Sequence, residues 1–169
     1  MQKSGFTLIE LLIVIALLGA LAIGLLATID PFEQLKKGRD TSTRNTALEF
    51  YNAELRYNAT RGTFTWPTSS SIVTDSLNAS DMVNTYLPTL ISAGELKDKF
   101  VQLAGTGNLA LIYVSSTDAS HIAVCFQPQS KSFSVDPAAL YDISGGTSIT
   151  NCKSGTAGTA GTTCYYCVQ

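Results

Sequence analysis

The chain begins with one long apolar run and then alternates shorter apolar and polar segments. Over residues 6–29 the side chains are almost all Leu, Ile, Val, Ala or Gly, and Glu10 is the single ionisable group. A helix over this run is roughly 36 Å long at about 1.5 Å per residue, which is enough to cross a hydrocarbon core of about 30 Å. The pattern therefore predicts one membrane-spanning helix.

A second, more polar helical segment follows. Asp30 suits its N-cap, Pro31 its first helical position and Gly62 its end. We expect the helix to kink at Pro31 or to end and restart there, with Gly19 and Gly24 as further soft points. Helical periodicity predicts a face that packs on a sheet, made of Ala47, Leu48, Phe50, Tyr51, Leu55 and Tyr57.

Polar stretches lie before and after this apolar face in the sequence. Residues 39–44 are too polar for a domain core, so we expect them to face solvent or neighbouring molecules. Residues 68–80 are rich in Ser and Thr and predict a surface loop. Asp81 then caps a short helix, which Pro88 breaks or restarts and Gly94 ends.

Three apolar or alternating runs in the second half of the chain predict strands over residues 109–114, 121–126 and 132–135. The segments between them, SSTDAS and QPQSK, have the length and composition of hairpin connections. The pattern predicts an α+β fold in which a long N-terminal helix packs on an antiparallel sheet of three to four strands.

Composition and charge limit the possible functions. The 169 residues leave about 140 beyond the span, enough for one compact domain. The net charge of −2, without a clustered basic patch, does not indicate a nucleic-acid surface. The sequence contains no nucleophile elbow, zinc-protease motif or phosphate-binding glycine loop, so it predicts no enzyme, no catalytic residue and no cofactor.

Four cysteines lie beyond the span: Cys125, Cys152, Cys164 and Cys167. In an exported domain they predict two disulfides, and three connectivities are open. One hypothesis pairs Cys152 with Cys164 across the Gly- and Thr-rich tail and Cys125 with Cys167, which would tie the last strand to the sheet. A zinc site is the weaker interpretation, because Cys125 and Cys152, the candidate partners of the CxxC pair, are far apart, and the single histidine, His121, lies in a predicted strand.

Topology signals disagree. Lys36, Lys37 and Arg39 outnumber Lys3 across the span, so the positive-inside rule alone favours a cytoplasmic domain. The cysteines favour export, because disulfides persist in oxidising compartments. We give the cysteines more weight.

The N-terminus resembles the class III leader of type IV pilins and type II secretion pseudopilins. The resemblance rests on Lys3 and Gly5 of the leader, followed by FTLIE at residues 6–10 and the long apolar run in register. It implies that a prepilin peptidase cleaves between Gly5 and Phe6 and methylates the new N-terminal Phe6. It also implies a pilin fold and identifies Glu10 as the glutamate that this family keeps in its span.

A charged Glu10 is energetically unfavourable inside the apolar span. A carboxylate inside an apolar span costs on the order of 2.5–3.5 kcal/mol and needs a partner, and the span contains no Lys, Arg or His. Cleavage would expose an ammonium on Phe6, which Glu10 of a neighbouring subunit could meet in a stack of spans. This pair would set the axial register. The alternative is that Glu10 lies near the headgroups and snorkels.

The resemblance implies an order of segments along the chain. Residues 1–5 are the leader, 6–29 the transmembrane and filament-core helix, 30–62 its amphipathic second half, 63–108 a variable region with a short helix, and 109–169 the sheet with a disulfide-bounded C-terminal region. Such a C-terminal region is usual in type IV pilins, whereas major pseudopilins usually lack it and carry a calcium site. The cysteines therefore favour a pilin, and no metal site is predicted.

The function implied is a structural subunit of a type IV pilus-like filament. Its expected partners are copies of itself in a helical homopolymer, the prepilin peptidase, an inner-membrane assembly platform and minor pilins. The monomer would lie in the bacterial inner membrane with its C-terminal domain exported, and then join a cell-surface filament. The alternatives are a type II secretion or competence pseudopilin, a singly anchored protein, and an ordinary secreted domain cleaved after Ala22.

Overall fold

The computed structural model describes residues 5–28, 30–66, 75–116, 120–145 and 164–169. It divides into two compact units, Met1–Leu35 and Lys36–Gln169. The fold is α+β, with a long N-terminal helix and a four-stranded antiparallel sheet, as predicted.

The first unit contains helix α1, Leu8–Thr28, and the start of helix α2, Pro31–Arg61. Every side chain of α1 from Leu8 to Leu26 is exposed, and by length and composition this helix could span a membrane. The helix ends and restarts, which was one of the two outcomes expected at Pro31. Asp30 caps α2, because its Oδ1 accepts hydrogen bonds from the backbone N–H of Phe32 at 3.1 Å and of Glu33 at 3.3 Å.

Helix α2 ends where the sequence predicted. Gly62 follows its last residue with a positive φ of 76°, a conformation that glycine adopts without strain. The backbone N–H of Gly62 donates to the carbonyl of Asn58 at 2.7 Å, which closes the last turn.

The buried face of α2 differs from the prediction. Ala47, Phe50 and Ala53 are fully buried, but Leu48 is only partly buried and Leu55 is exposed. The prediction for residues 39–44 was wrong in part, since Asp40 and Thr43 are buried too. Polar side chains can be buried when their hydrogen bonds are satisfied, and both have partners on distant segments.

The sheet has four strands in the order β1 (Asp75–Ser76), β2 (Ile112–Ser115), β3 (Ala123–Phe126) and β4 (Tyr166–Val168). Strands β2 and β3 match two of the predicted strands, although both start later than expected. Strand β1 lies within the predicted surface loop and pairs with Tyr113 and Val114 of β2. Of that loop, residues 68–74 lie outside the described residues.

The predicted strand over 132–135 was wrong. Lys131–Ser134 is a short helix, α6, because Ser130 caps it and its Oγ accepts a hydrogen bond from the Phe133 N–H. A run of four alternating residues is compatible with a single capped helical turn as well as with a strand. The hydrophobic periodicity alone therefore could not distinguish the two structures. The C-terminal strand β4 occupies the place next to β3.

Five further short helical segments complete the described fold. Residues Met82–Tyr86 form a π-helical turn that continues into α3, Leu87–Ser92. Asp81 occupies the N-cap position but makes no side-chain capping bond, Pro88 lies in the first turn of α3, and Gly94 follows its end. Helices α4 (Phe100–Ala104) and α5 (Thr106–Leu109) precede β2. A 3-10 turn spans Pro137–Ala139.

The larger of two hydrophobic clusters among the described residues lies between α2, the short helices and the sheet. It includes Phe50 of α2, Leu87 and Leu90 of α3, and Ile112 and Phe126 of the sheet. Phe64 and Trp66, which follow α2, stack with ring centroids 5.0 Å apart and are buried in the same core. Trp66 therefore contributes to packing.

Candidate assembly site at the N-terminus

The start of α1 is a capping box built from Thr7 and Glu10. The Glu10 carboxylate accepts hydrogen bonds through Oε2 from the Thr7 backbone N–H at 2.9 Å and from the Thr7 hydroxyl at 2.7 Å. In return, the Glu10 backbone N–H donates to Thr7 Oγ1 at 3.3 Å. A Thr-x-x-Glu sequence before an apolar run is the sequence signature of this motif, so it could have been recognised from the sequence.

The capping box gives the costly carboxylate a partner within its own chain. Two donors reach Oε2, so part of the desolvation cost of Glu10 is offset before a second subunit is present. The pair between Glu10 and the Phe6 ammonium joins two subunits and stays a prediction.

The predicted cleavage bond lies just ahead of the helix. Gly5, Phe6 and Thr7 precede Leu8, the first helical residue, and the Phe6 side chain is exposed. The bond between Gly5 and Phe6 is therefore not held in helical hydrogen bonding. This geometry suits a peptidase, which must bind the backbone on both sides of the bond.

The three predicted kink residues lie in different environments. Helix α1 passes through Gly19 and Gly24 without interruption, and a Cβ atom added at either would meet nothing within 4 Å. Their role as soft points stays a prediction. Pro31 is the first residue of α2, and Asp30 just before it is not helical.

The C-terminal strand is fixed by a disulfide. Cys125 of β3 and Cys167 of β4 are directly opposite in the sheet register and form a disulfide, as the hypothesis from the sequence proposed. Cys164 is also disulfide-bonded. Its predicted partner, Cys152, lies outside the described residues.

A cluster of polar contacts fixes the first half of α2 to the domain. The Asp40 carboxylate is buried and accepts hydrogen bonds from the backbone N–H of Gln129 at 3.0 Å, the backbone N–H of Ser130 at 2.7 Å and the Ser130 hydroxyl at 2.6 Å. Thr43 donates to the Asn108 side chain at 2.7 Å. The Arg44 Nε donates to the Tyr166 hydroxyl at 2.8 Å, and its guanidinium lies over the Tyr166 ring. We call the contacts of Asp40, Thr43 and Arg44 the polar clasp.

The second half of α2 contains a buried acid. Glu54 accepts hydrogen bonds from the Thr65 hydroxyl at 2.7 Å and from the Thr65 N–H at 3.2 Å. Burial raises the pKa of Glu54 to about 7, although these two hydrogen bonds act in the opposite direction. Glu54 therefore titrates near neutral pH.

Among the residues that the structure describes, no three His, Cys, Asp or Glu side chains come together as they would around a metal ion. His121 lies just before β3 and is exposed.

Comparison with known proteins bears on the N-terminus. Residues 1–26 match the family model of the prokaryotic N-terminal methylation motif. The match covers the leader, the capping box and most of α1. No curated protein sequence and no solved structure matches the chain. The chain thus carries the N-terminal methylation motif that marks the class III leader of the type IV pilin and pseudopilin family.

Proposed function

We propose that this protein is a non-enzymatic structural subunit, a pilin, of a type IV pilus-like filament. The observation that supports it is the methylation motif of residues 1–26, in which Glu10 lies in the first turn of an apolar helix. A pilin-like chain of this kind is processed by prepilin peptidase, cleaved after Gly5 and methylated on Phe6. Its expected location is the inner membrane first and the cell-surface filament afterwards.

Helix α1 supports polymerisation because it is apolar on every side. Residues 8–26 are all exposed, so the helix needs an apolar environment other than its own domain. Lipid supplies that environment to the monomer, and the spans of other subunits supply it in a filament. Stacking with a head-to-tail contact produces an open helical polymer.

The same motif occurs in type II secretion and competence pseudopilins, which are the second candidate. The disulfide between Cys125 and Cys167 favours the pilin, because it bounds a C-terminal region typical of pilins. Deletion of the gene in its native cells separates the two functions. Loss of surface filaments supports the pilin, whereas loss of protein secretion with filaments intact supports the pseudopilin.

Processing is tested by the intact mass and N-terminal peptide of the protein purified from native cells. We expect a chain that starts at Phe6 and carries one added methyl group. A mature chain that starts at Ile23 would contradict the proposal and would indicate an ordinary secreted domain.

The role of Glu10 is tested by Glu10→Ala. We expect the variant to accumulate as a membrane monomer but to be lost from sheared filaments, because the Phe6 ammonium of a neighbour loses its partner. Asp81→Ala is the matched control, since Asp81 is an exposed acid outside the span that makes no side-chain capping bond. Normal incorporation of Glu10→Ala would contradict the register mechanism.

A further inference from the structure

Two exposed apolar surfaces lie outside the span. The first is on α2 at its N-terminal end, where Phe32 is 72% exposed and Leu35 is 64% exposed. Steps of three and four residues continue this face to Thr43, Ala47 and Phe50, which are buried against the domain. The stripe that packs within the domain thus extends onto residues 31–39, where Phe32 and Leu35 remain exposed.

The second surface is a groove along α2, which we call the α2 groove. Two cavities of about 350 Å³ and 200 Å³ adjoin each other and share Ser42 and Ala104 in their linings. The groove follows α2 from Arg39 to Glu49, and α4 and α5 form part of its other wall. Leu111 lines the first cavity and is 48% exposed, while Leu103 lines the second and is 75% exposed.

The two surfaces match in length, and the first surface is opposite in net charge to the domain that contains the second. Residues 31–39 extend about 12 Å and the α2 groove about 15 Å along its helix, at about 1.5 Å per residue. Residues 31–39 contain three basic residues and one acid, a net charge of +2. Residues 40–169 contain seven basic and ten acidic residues, a net charge of −3.

The long-range attraction between the two surfaces and their affinity in contact come from different parts of the domain. The lining of the α2 groove carries both signs, with Arg39 and Lys97 against Asp40 and Glu49. The long-range attraction therefore comes from the charge of the whole domain, which steers the encounter. The apolar side chains at the groove supply the affinity.

We propose that residues 31–39 of one copy dock in the α2 groove of a second copy, with Phe32 and Leu35 against Leu103 and Leu111. The inference rests on the proposed function and names a contact between subunits outside the span. The groove and the docking segment are different surfaces of one chain that meet at Arg39, so the contact is heterologous and repeats along an open polymer.

Site-specific photocrosslinking tests the contact in the full-length chain. A benzophenone amino acid replaces Leu111 in cells that assemble filaments, and the matched control replaces Val135, which is exposed but does not line the α2 groove. We expect irradiation of the Leu111 probe to give a covalent dimer whose second tryptic peptide contains Phe32 and Leu35. The Val135 probe should not link to that peptide.

Two other outcomes of the crosslinking experiment would overturn the docking, and they separate it from the proposed function. Filaments that form normally, but in which the Leu111 probe links only to lipid, to another protein or to other peptides of this chain, would overturn the docking and leave the proposed function intact. A chain without the probe that is never recovered in filaments would overturn both.

A second pair of variants measures the strength of the contact. Leu111→Asp should raise the subunit concentration needed for assembly about tenfold, which corresponds to about 1.4 kcal/mol. Val135→Asp should leave that concentration unchanged. Because both side chains are exposed, both variants should fold. Equal assembly of the two variants would overturn the proposal.

Discussion

Thr7 is the residue that links the predicted cleavage site to helix α1. Its hydroxyl and backbone N–H both donate to the Glu10 carboxylate, so Thr7 positions the group on which assembly is proposed to depend. Local signals of this kind span three residues and can be recognised in the sequence, as the capping residue Asp30 and the terminating residue Gly62 also show.

Replacing Thr7 by Val removes the hydroxyl and keeps the shape of the side chain. A lost N-cap costs about 1 kcal/mol, so we expect about fivefold less protein in sheared filaments and an unchanged monomer pool. Thr7→Ser keeps the hydroxyl and should restore assembly. Equal loss in both variants would show that the methyl group, and not the capping bond, matters.

Glu54 makes the stability of the domain depend on pH. Its pKa is about 7 in the folded chain against an ordinary value of 4.5, so the folded state holds the proton more tightly. The associated stabilisation is complete below pH 4.5 and is lost as the pH rises to 7. The full difference is about 3 kcal/mol.

Glu54→Gln should remove this dependence. The measurement is denaturant unfolding of the full chain in detergent micelles between pH 4.5 and 8, followed by the fluorescence of Trp66, the only tryptophan and a buried one. We expect wild-type stability to fall across this range and that of the variant to stay nearly constant. Parallel profiles for the two proteins would contradict the assignment.

At the scale of elements, α2 shows which features the sequence could predict. Its start, its end and the burial of Phe50 follow from nearby residues and from helical periodicity. The burial of Asp40 does not, because its partners Gln129 and Ser130 lie about ninety positions away in the sequence. Only the fold brings those donors to the carboxylate.

The sheet shows the same limit. Strands β2 and β3 have apolar patterns that persist over four residues, whereas the pattern at residues 132–135 is shared by a strand and a capped turn. The two edge strands, β1 and β4, are two and three residues long. Such short strands carry little periodicity, and the cysteines were the only signal for β4.

Asp40→Ala tests the polar clasp at this scale. The change leaves the Ser130 hydroxyl, the buried Ser130 N–H and the Gln129 N–H without their acceptor, so we expect a loss of about 3 kcal/mol in the free energy of unfolding. Thr41→Ala is the control, because Thr41 lies next to Asp40 in the chain and is exposed. A loss below 1 kcal/mol for Asp40→Ala, by the fluorescence assay above, would contradict the role of the clasp.

At the scale of the whole molecule, the Cys125–Cys167 disulfide adds stability to a domain whose sheet is small. The cysteines of the Cys125–Cys167 bridge are 42 residues apart, which in the chain-entropy model corresponds to about 4 kcal/mol of stabilisation. The double variant Cys125→Ala, Cys167→Ala should therefore unfold at clearly lower denaturant concentration.

The disulfide connectivity can be tested by a separate measurement. Peptide mapping without reductant should recover Cys125 joined to Cys167. A peptide that joins Cys125 to Cys152 would contradict both the connectivity and the explanation of β4.

The polar clasp also has a mechanical consequence. Asp40, Thr43 and Arg44 lie within about one and a half turns of α2, yet they bond to three separate segments, at residues 129–130, 108 and 166. Tension applied along α2 from its N-terminal end reaches these bonds side by side, so they share the force and must rupture together. A subunit under tension should therefore resist detachment of α2 far better than it would if these bonds broke one after another.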